Sequence, residues 1–392
     1  MKRYDYLIVG GGMTAAAAIK GIRELDSTGS ICLVGAEVDP PYDKPPLSKS
    51  LWKGKSLDDI WMDCGNAEMR LGSAARALRP SQRILACEDG SELEYGSLLI
   101  ATGSRARRLG LAEDPFIYLR EIQDYRRIRA ISAPGKRALV LGGGFIGMEM
   151  AAALAMNGLK VSLLFPEKGL GWRLFPSELS LFLDEYYVGR GVELFPETGV
   201  LSLEELVGAE GRSWIARTSS GRELAADLLV AGIGTVPNVE LAASARLEMD
   251  EGLAVDSALR TSEAGIFAAG DVASFHCEAL GRRIRVEHED NALSMGLAAG
   301  RSMAGAREAY DRIPYFYSDL FELGYEAAGE LDSRLETFMD WKQPFEKGLV
   351  YYLKDGRVRG VLLWNIWRKV EAARALIALA GPLTRAELAG KI

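Results

Sequence analysis

Two glycine clusters, and the acids that follow them, are the residues of this chain best placed to do chemistry. Gly10-Gly11-Gly12-Met13-Thr14-Ala15 follows the apolar run Tyr6-Leu7-Ile8-Val9. Gly142-Gly143-Gly144-Phe145-Ile146-Gly147 follows Ala138-Leu139-Val140-Leu141. Each cluster lies where a strand hands over to a helix. Glycines there let the backbone turn tightly and approach a pyrophosphate, which rests on the helix N-terminus. Glu37 and Glu167 follow their clusters by roughly 20-odd residues, where a carboxylate accepts from ribose hydroxyls. One such cluster is a weak signal. Two imply two dinucleotides in one protein, and the economical reason to hold two is to pass a hydride between them.

Other chemistries find less support. Cys32, Cys64, Cys87 and Cys277 form no CxxC spacing, so they read as single reduced thiols used mostly in packing rather than as a dithiol or a metal cluster. His276 and His288 are the two histidines; without helical spacing or a fourth ligand, no metal site is expected. A net charge of −7 leaves no excess of Lys and Arg for phosphates, which argues against nucleic acid as the main partner. One stretch is locally basic, with Arg105, Arg107, Arg108, Arg120, Arg126, Arg127, Arg129, Lys136 and Arg137. It reads either as a solvated face, since Glu113, Asp114, Glu121 and Asp124 lie within it, or as a dock for an acidic protein.

The elements that must position the glycine clusters follow from apolar patterning. At 392 residues, 48% hydrophobic and 26% charged, the chain is long enough for two or three domains. Strands are predicted over 4–9, 30–34 and 98–102, with a helix over 13–25 whose Ala15 to Ala18 allow close packing on the sheet. A second unit starts near Lys136, with a helix over 148–158 and a strand over 161–165. The run 264–273, whose apolar strand ends in Gly270-Asp271, suggests that the first domain resumes after the second. Beyond Tyr310 aromatics cluster; 349–353 and 358–364 read as a hairpin turning at Asp355-Gly356, and a helix over 371–380 stops at Gly381-Pro382. The fold class is therefore α/β. It comprises two Rossmann-like dinucleotide-binding domains, one inserted in the other, plus a smaller C-terminal α+β domain. Boundaries fall at 1–110 with 239–308, at 111–238 and at 309–392. The first strand begins almost at Met1, leaving no room for a targeting peptide, and no apolar run reaches the ~18 residues of a membrane helix; a cytoplasmic protein is expected.

Over nearly its whole length the chain resembles the FAD-dependent pyridine-nucleotide oxidoreductases. The carrying residues are the two glycine clusters, Ala101-Thr102-Gly103, Gly232-Ile233-Gly234-Thr235-Val236-Pro237-Asn238 and Gly270-Asp271. More narrowly, Pro41-Tyr42-Asp43-Lys44-Pro45-Pro46-Leu47-Ser48-Lys49 is similar to the flavin loop of oxygenase-coupled ferredoxin reductases and of apoptosis-inducing factor, where thiol-dependent branches carry cysteines instead. The segments 164–169, 286–292 and 364–366 lean to the apoptosis-inducing-factor side. The resemblance implies that the inserted domain, 111–238, binds NAD and that the enclosing one binds FAD. Gly10, Gly12 and Ala15 then hold the FAD pyrophosphate, Glu37 its adenosine ribose, and Lys44, where the family often has Arg, a further FAD contact. Thr102, Gly103 and Gly270 join the FAD set, and Asp271 accepts from the ribityl chain. Gly142, Gly144 and Gly147 hold the nicotinamide dinucleotide, with Gly234 and Asn238 on the nicotinamide side.

Hydride arriving at a flavin adds electron density that a nearby cation or helix end must stabilise. Lys49 meets that need, and similar proteins pair it with a residue at the position of Glu149. Alone, Lys49 reads as a surface lysine and Glu149 as a helix-start acid favoured by the dipole; between two glycine clusters they are the candidate catalytic pair. Asn291 and Ala292 begin a helix whose N-terminus faces the ring, His288 lies near it or is structural, and Tyr317 stands where many relatives have Trp. Glu167 favours NADH, because a carboxylate repels a 2′-phosphate, although Lys168 is its neighbour. The expected activity passes electrons from NADH through FAD to a small acidic iron–sulfur protein, ferredoxin or rubredoxin. The alternatives are an NADH oxidase or small-acceptor reductase, and an NADH-responsive redox-sensing interaction protein. A homodimer is a further possibility from the family.

Overall fold

The computed structural model describes residues 1–111, 113–208 and 211–392. The chain gathers into two compact units. The first consists of Met1–Lys44, Ser56–Arg105 and Val236–Phe316; the second consists of Pro45–Lys55, Ala106–Thr235 and Tyr317–Ile392.

The first unit is built on a seven-stranded sheet. Its parallel part runs Glu68–Leu71, Ile31–Gly35, Lys2–Val9, Glu92–Ile100, and Ile266–Ala268 also pairs in parallel with Glu92–Ile100. Ile84–Cys87 and Ala75–Arg79 extend it antiparallel. Tyr6-Leu7-Ile8-Val9 is buried throughout, as a strand covered on both faces must be. The third predicted strand starts earlier than its apolar end suggested, because Leu93 and Tyr95 point inward between exposed or half-exposed neighbours. The return of the chain at Ile266–Ala268 to the sheet of the first strand is the topology of an interrupted domain.

The small residues of the Met13–Arg23 helix serve a second purpose beyond lying close to the sheet. The helix Glu289–Met303 comes into backbone contact with it. A Cβ on Gly300 would lie 2.0 Å from the Ala18 carbonyl oxygen, and one on Gly21 would lie 2.2 Å from that of Leu297. Ala15 to Ala18 are all buried, and no larger side chain would allow this approach.

The second unit holds a five-stranded sheet in the order Val192–Phe195, Lys160–Leu164, Arg137–Leu141, Leu228–Ala231, Ile117–Tyr118. All its pairings are parallel. The helix Phe145–Met156 follows its central strand, and a small antiparallel sheet of Val200–Gly208, Gly211–Thr218 and Glu223–Ala226 is appended. The C-terminal sheet runs Tyr315–Leu320, Leu323–Gly329, Arg357–Trp364, Lys347–Lys354, Glu336–Gln343. The Asp355-Gly356 turn joins its two buried strands as expected, and the helix Val370–Ala378 covers it with Ala373, Leu376 and Ile377. This sheet joins the nucleotide fold through aromatic packing. Phe175 meets Tyr325 and Trp364 edge-on at 5.5 and 6.0 Å, and the Tyr352 hydroxyl donates to the Leu174 carbonyl at 2.8 Å.

The turn between Leu141 and the following helix is closed by glycine against glycine. A Cβ on Gly147 would lie 1.7 Å from the Gly142 carbonyl oxygen, a backbone atom that cannot swing aside. Gly147→Ala is therefore expected to cost roughly 1–3 kcal/mol, seen as a melting temperature several degrees below wild type. A melt indistinguishable from wild type would show that the turn is looser than described.

Candidate active site

In the first unit the turn after Val9 puts Gly10 at a φ of 118°, with its would-be Cβ 2.1 Å from the Ala101 carbonyl oxygen. Only glycine meets both demands. Gly12 caps the following helix in extended conformation, and a Cβ there would meet nothing within 4 Å. No side chain caps this helix, and its first turn holds no acid. An uncapped, acid-free helix start with open space before it suits a phosphate. Ala15 contributes by size; it is fully buried and its amide donates to the Gly12 carbonyl at 3.0 Å.

Glu37 lies just past the Ile31–Gly35 strand with its carboxylate in a small network. Lys44 Nζ sits 2.9 Å from one oxygen, the Tyr42 hydroxyl donates to the other at 2.6 Å, and Lys44 also lies over the Tyr42 ring. A lysine thus orients the acid expected to take ribose hydroxyls. Past the strand Ile266–Ala268 of the same sheet, Asp271 is buried and accepts from the Ser104 hydroxyl at 2.8 Å. Gly270 is pressed against the Thr14 side chain, where a Cβ would lie 2.3 Å from Oγ1.

Three expected residues have their polar groups engaged within this unit. The Asn238 side chain donates to the Thr102 carbonyl at 2.8 Å and accepts from Arg105 at 2.9 Å. Its carbonyl receives the Thr102 hydroxyl, and its amide donates to Gly103. Asn238 thus ties down Ala101-Thr102-Gly103, a job that spacing did not suggest. The Asn291 side chain donates to the Val286 carbonyl and accepts from Tyr310, and the Ala292 amide donates to the His288 carbonyl. Both lie in the first turn of the Glu289–Met303 helix, which starts two residues earlier than the sequence suggested. His288 stacks on Phe316 at 4.4 Å. Desolvation pulls its imidazole down to about 4 against the opposing pull of Asp271, Glu287 and Asp290, so it is neutral at pH 7.

In the second unit the same cradle recurs. Gly142 has a φ of 109° and its Cβ would lie 2.3 Å from the Gly232 carbonyl oxygen. Gly144 caps the Phe145–Met156 helix, again without a side-chain cap, without a first-turn acid and with nothing within 4 Å of a Cβ. The crevice lies between the central strand and its neighbour Leu228–Ala231, where the strand order reverses, the usual ligand position in such sheets. Gly234 follows that neighbour, with the exposed Arg107 nearby. Glu167, past the Lys160–Leu164 strand, pairs with Arg173 at 2.8 Å.

The same unit assembles the candidate catalytic pair. Glu149 is fifth in the Phe145–Met156 helix and 3% exposed. Lys49 Nζ lies 2.7 Å from its Oε2. Two hydroxyls complete the shell: Ser48 donates to Oε2 and Ser318 to Oε1, each at 2.5 Å. Tyr317 lies with its ring centroid 5.3 Å from Lys49 Nζ. The loop bearing Lys49 is pinned by Trp52, which donates to the Leu47 carbonyl, packs edge-on against Tyr125 at 5.5 Å, and receives Arg129 on its ring at 5.1 Å. The Asn157 side chain also donates to the Trp52 carbonyl at 3.2 Å. Ser48 and Ser318 carried no sequence signal of their own; each merely adjoins a residue that did.

Four cations of the locally basic stretch pair with acids, two of them within the stretch and two distant in sequence. Arg137 pairs with Asp227, Arg127 with Asp124, Arg108 with Asp114, and Arg105 with Glu240. The four cysteines are free thiols and buried. Among the described residues no helix is long and apolar enough to cross a membrane.

Comparison with known proteins accords with these features. Residues 4–296 match the family described as pyridine nucleotide-disulphide oxidoreductase, and residues 339–379 match the apoptosis-inducing factor, mitochondrion-associated, C-terminal region. The ferredoxin–NAD(+) reductase component of an anthranilate 1,2-dioxygenase system from Burkholderia cepacia is 33% identical over 96% of this chain and 95% of its own length. Apoptosis-inducing factor 1 of Dictyostelium discoideum is 32% identical over 96% of this chain and 79% of its own. The solved covalent putidaredoxin reductase–putidaredoxin complex contains a chain that superposes with a TM-score of 0.89 at 28% identity, over 96% of this chain and 94% of that one. Twin open-ended glycine cradles, each with an acid beyond the next strand, fit FAD and NAD(H). With the family match over residues 4–296, the chain belongs to the pyridine nucleotide-disulphide oxidoreductases and is an FAD-dependent NAD(P)H oxidoreductase.

Proposed function

We propose that this enzyme draws electrons from NADH and delivers them, by way of FAD, to a small iron–sulfur protein such as a ferredoxin or rubredoxin. The observation that carries this reading is the Lys49–Glu149 pair, in which buried Glu149 receives a lysine from a flavin-type loop that holds no cysteine. A disulphide reductase needs a thiol there; an enzyme that hands electrons directly to an external carrier does not. The Burkholderia relative is named for ferredoxin and the solved neighbour is joined to putidaredoxin, which supports the same class of acceptor. When bound, FAD accepts a hydride from the nicotinamide and releases electrons singly.

The chain's own residues have separable tasks in this reading. The first unit binds FAD: Gly12 leaves room for its pyrophosphate, Glu37 with Lys44 takes the adenosine ribose, and Asp271, held by Ser104, takes the ribityl hydroxyls. The second unit binds the nicotinamide dinucleotide at Gly142 to Gly147, with Glu167 accepting from its ribose. Lys49 holds a positive charge where negative charge develops, and Glu149 fixes that ammonium in place. His288, neutral, contributes a flat surface rather than charge. The match of residues 339–379 to the apoptosis-inducing-factor C-terminal region favours one second reading, an NADH-responsive interaction protein. Slow turnover with every carrier, combined with NADH-dependent dimerisation in sedimentation, would select it.

Three measurements check this assignment. Lys49→Ala should retain FAD yet slow anaerobic flavin reduction by NADH about 100-fold; a stopped-flow rate equal to wild type would reject the role of Lys49. Gly12→Ala and Gly144→Ala both place a methyl in space that is open in the protein. Each should therefore melt like wild type, the first as apoprotein. Gly12→Ala should lose FAD on gel filtration, whereas Gly144→Ala should keep it and raise the KM for NADH; swapped phenotypes would reverse the assignment of the two cradles. Glu167, already neutralising Arg173, should make kcat/KM at least about tenfold higher for NADH than for NADPH, and a preference for NADPH would overturn that choice.

A further inference from the structure

We propose that Ser318 is a positioning residue for hydride transfer, its buried hydroxyl locking the Glu149 carboxylate in the orientation that holds Lys49. This rests on the role given to Lys49 and Glu149 above.

The geometry is asymmetric. Lys49 and Ser48 both address Oε2 of Glu149, while among the described residues Ser318 is the donor to Oε1. The terminal torsion of a glutamate is soft, with broad wells, so two donors on one oxygen do not fix the plane of the carboxylate. A third donor on the other oxygen does. Ser318 is fully buried, so bulk water has no path to replace its hydroxyl. The tyrosines alongside address other groups. The Tyr187 hydroxyl donates to the Met148 carbonyl at 3.0 Å. The Tyr325 hydroxyl faces Ser318, and burial together with the Glu149 charge pushes it well above its usual range, so it keeps its proton.

The strand that carries Ser318 supports the same conclusion. Side chains alternate along a strand, and this one uses three in a row. Tyr317 lies against Lys49, Ser318 holds Glu149, and Asp319 lies 3.6 Å from Lys53. Both members of the ion pair, and the loop that bears one of them, are thus referenced to one rigid edge of the C-terminal sheet. Without Ser318, the carboxylate is free to turn its second oxygen toward Lys49 and draw the ammonium out of line. The charge would survive, but its placement would not.

The test is a double-mutant cycle on the FAD-loaded protein, comparing wild type, Ser318→Ala, Glu149→Ala and the double variant. Two readouts are taken: anaerobic flavin reduction at saturating NADH, and the rate of reductive methylation of Lys49 followed by peptide mass spectrometry without NADH. Ser318→Ala should slow reduction about tenfold with little change in the NADH dissociation constant, and Lys49 should methylate several-fold faster. In the Glu149→Ala background, Ser318→Ala should change neither by more than about twofold. Should Ser318→Ala fail to retain FAD, Ser318→Cys, close in size with a weaker donor, reads the same cycle. Equal losses in both backgrounds, or reduction and methylation both at wild-type rates, would overturn the proposal. A Lys49→Ala variant reduced as fast as wild type would instead remove the parent reading, while the methylation cycle would still report whether Ser318 places Lys49.

Discussion

The buried ion pair between Lys49 and Glu149 is the constraint around which the second unit is arranged. Either charge alone in such a place is costly. Removing one member of a buried pair leaves an uncompensated charge and typically costs about 3–5 kcal/mol. The protein meets that demand by bringing three stretches of chain to one carboxylate: the helix that carries Glu149, the loop with Ser48 and Lys49, and the C-terminal strand with Ser318. This explains why Pro45–Lys55 gathers with the second unit although the chain on both sides of it belongs to the first. Trp52, gripped by Tyr125, Arg129 and Asn157, keeps the loop there.

In each unit the candidate binding surface is made by subtraction. Where a dinucleotide must come close, the chain places residues without side chains and leaves two helix starts uncapped and free of acid. The glycines divide into two kinds. Gly10, Gly142 and Gly147 are hemmed in by backbone and hold the turns together, whereas Gly12 and Gly144 face open space. Sequence spacing alone treats all five alike.

Much of this architecture is legible in the amino-acid sequence. The two glycine clusters sit at strand–helix junctions because the apolar runs before them can only be buried strands, and the resumption of the first domain follows from Gly270-Asp271. The Asp355-Gly356 turn between two apolar runs allows one reading. Other features have no signal to give. Ser48 and Ser318 are two of the commonest polar residues at unremarkable spacing, and only the fold brings them to Glu149. Asn238 lies in a segment shared with related proteins, so its motif suggests a ligand contact, whereas its hydrogen bonds run to Thr102, Gly103 and Arg105. The basic stretch from Arg105 to Arg137 reads as a solvated face or a dock, and its pairing with acids distant in sequence, such as Asp227 and Glu240, is invisible to a local count. Ala15 to Ala18 suggest contact with the sheet, but their closest consequence is the approach of a helix nearly three hundred residues away in the chain.

The most direct test of the whole account is an anaerobic titration of the FAD-reconstituted protein. NADH should bleach the flavin stoichiometrically, and oxidised ferredoxin added next should restore the yellow colour while becoming reduced, with two carriers consumed per NADH. Protein that takes up no FAD, or flavin that NADH leaves oxidised, would contradict it.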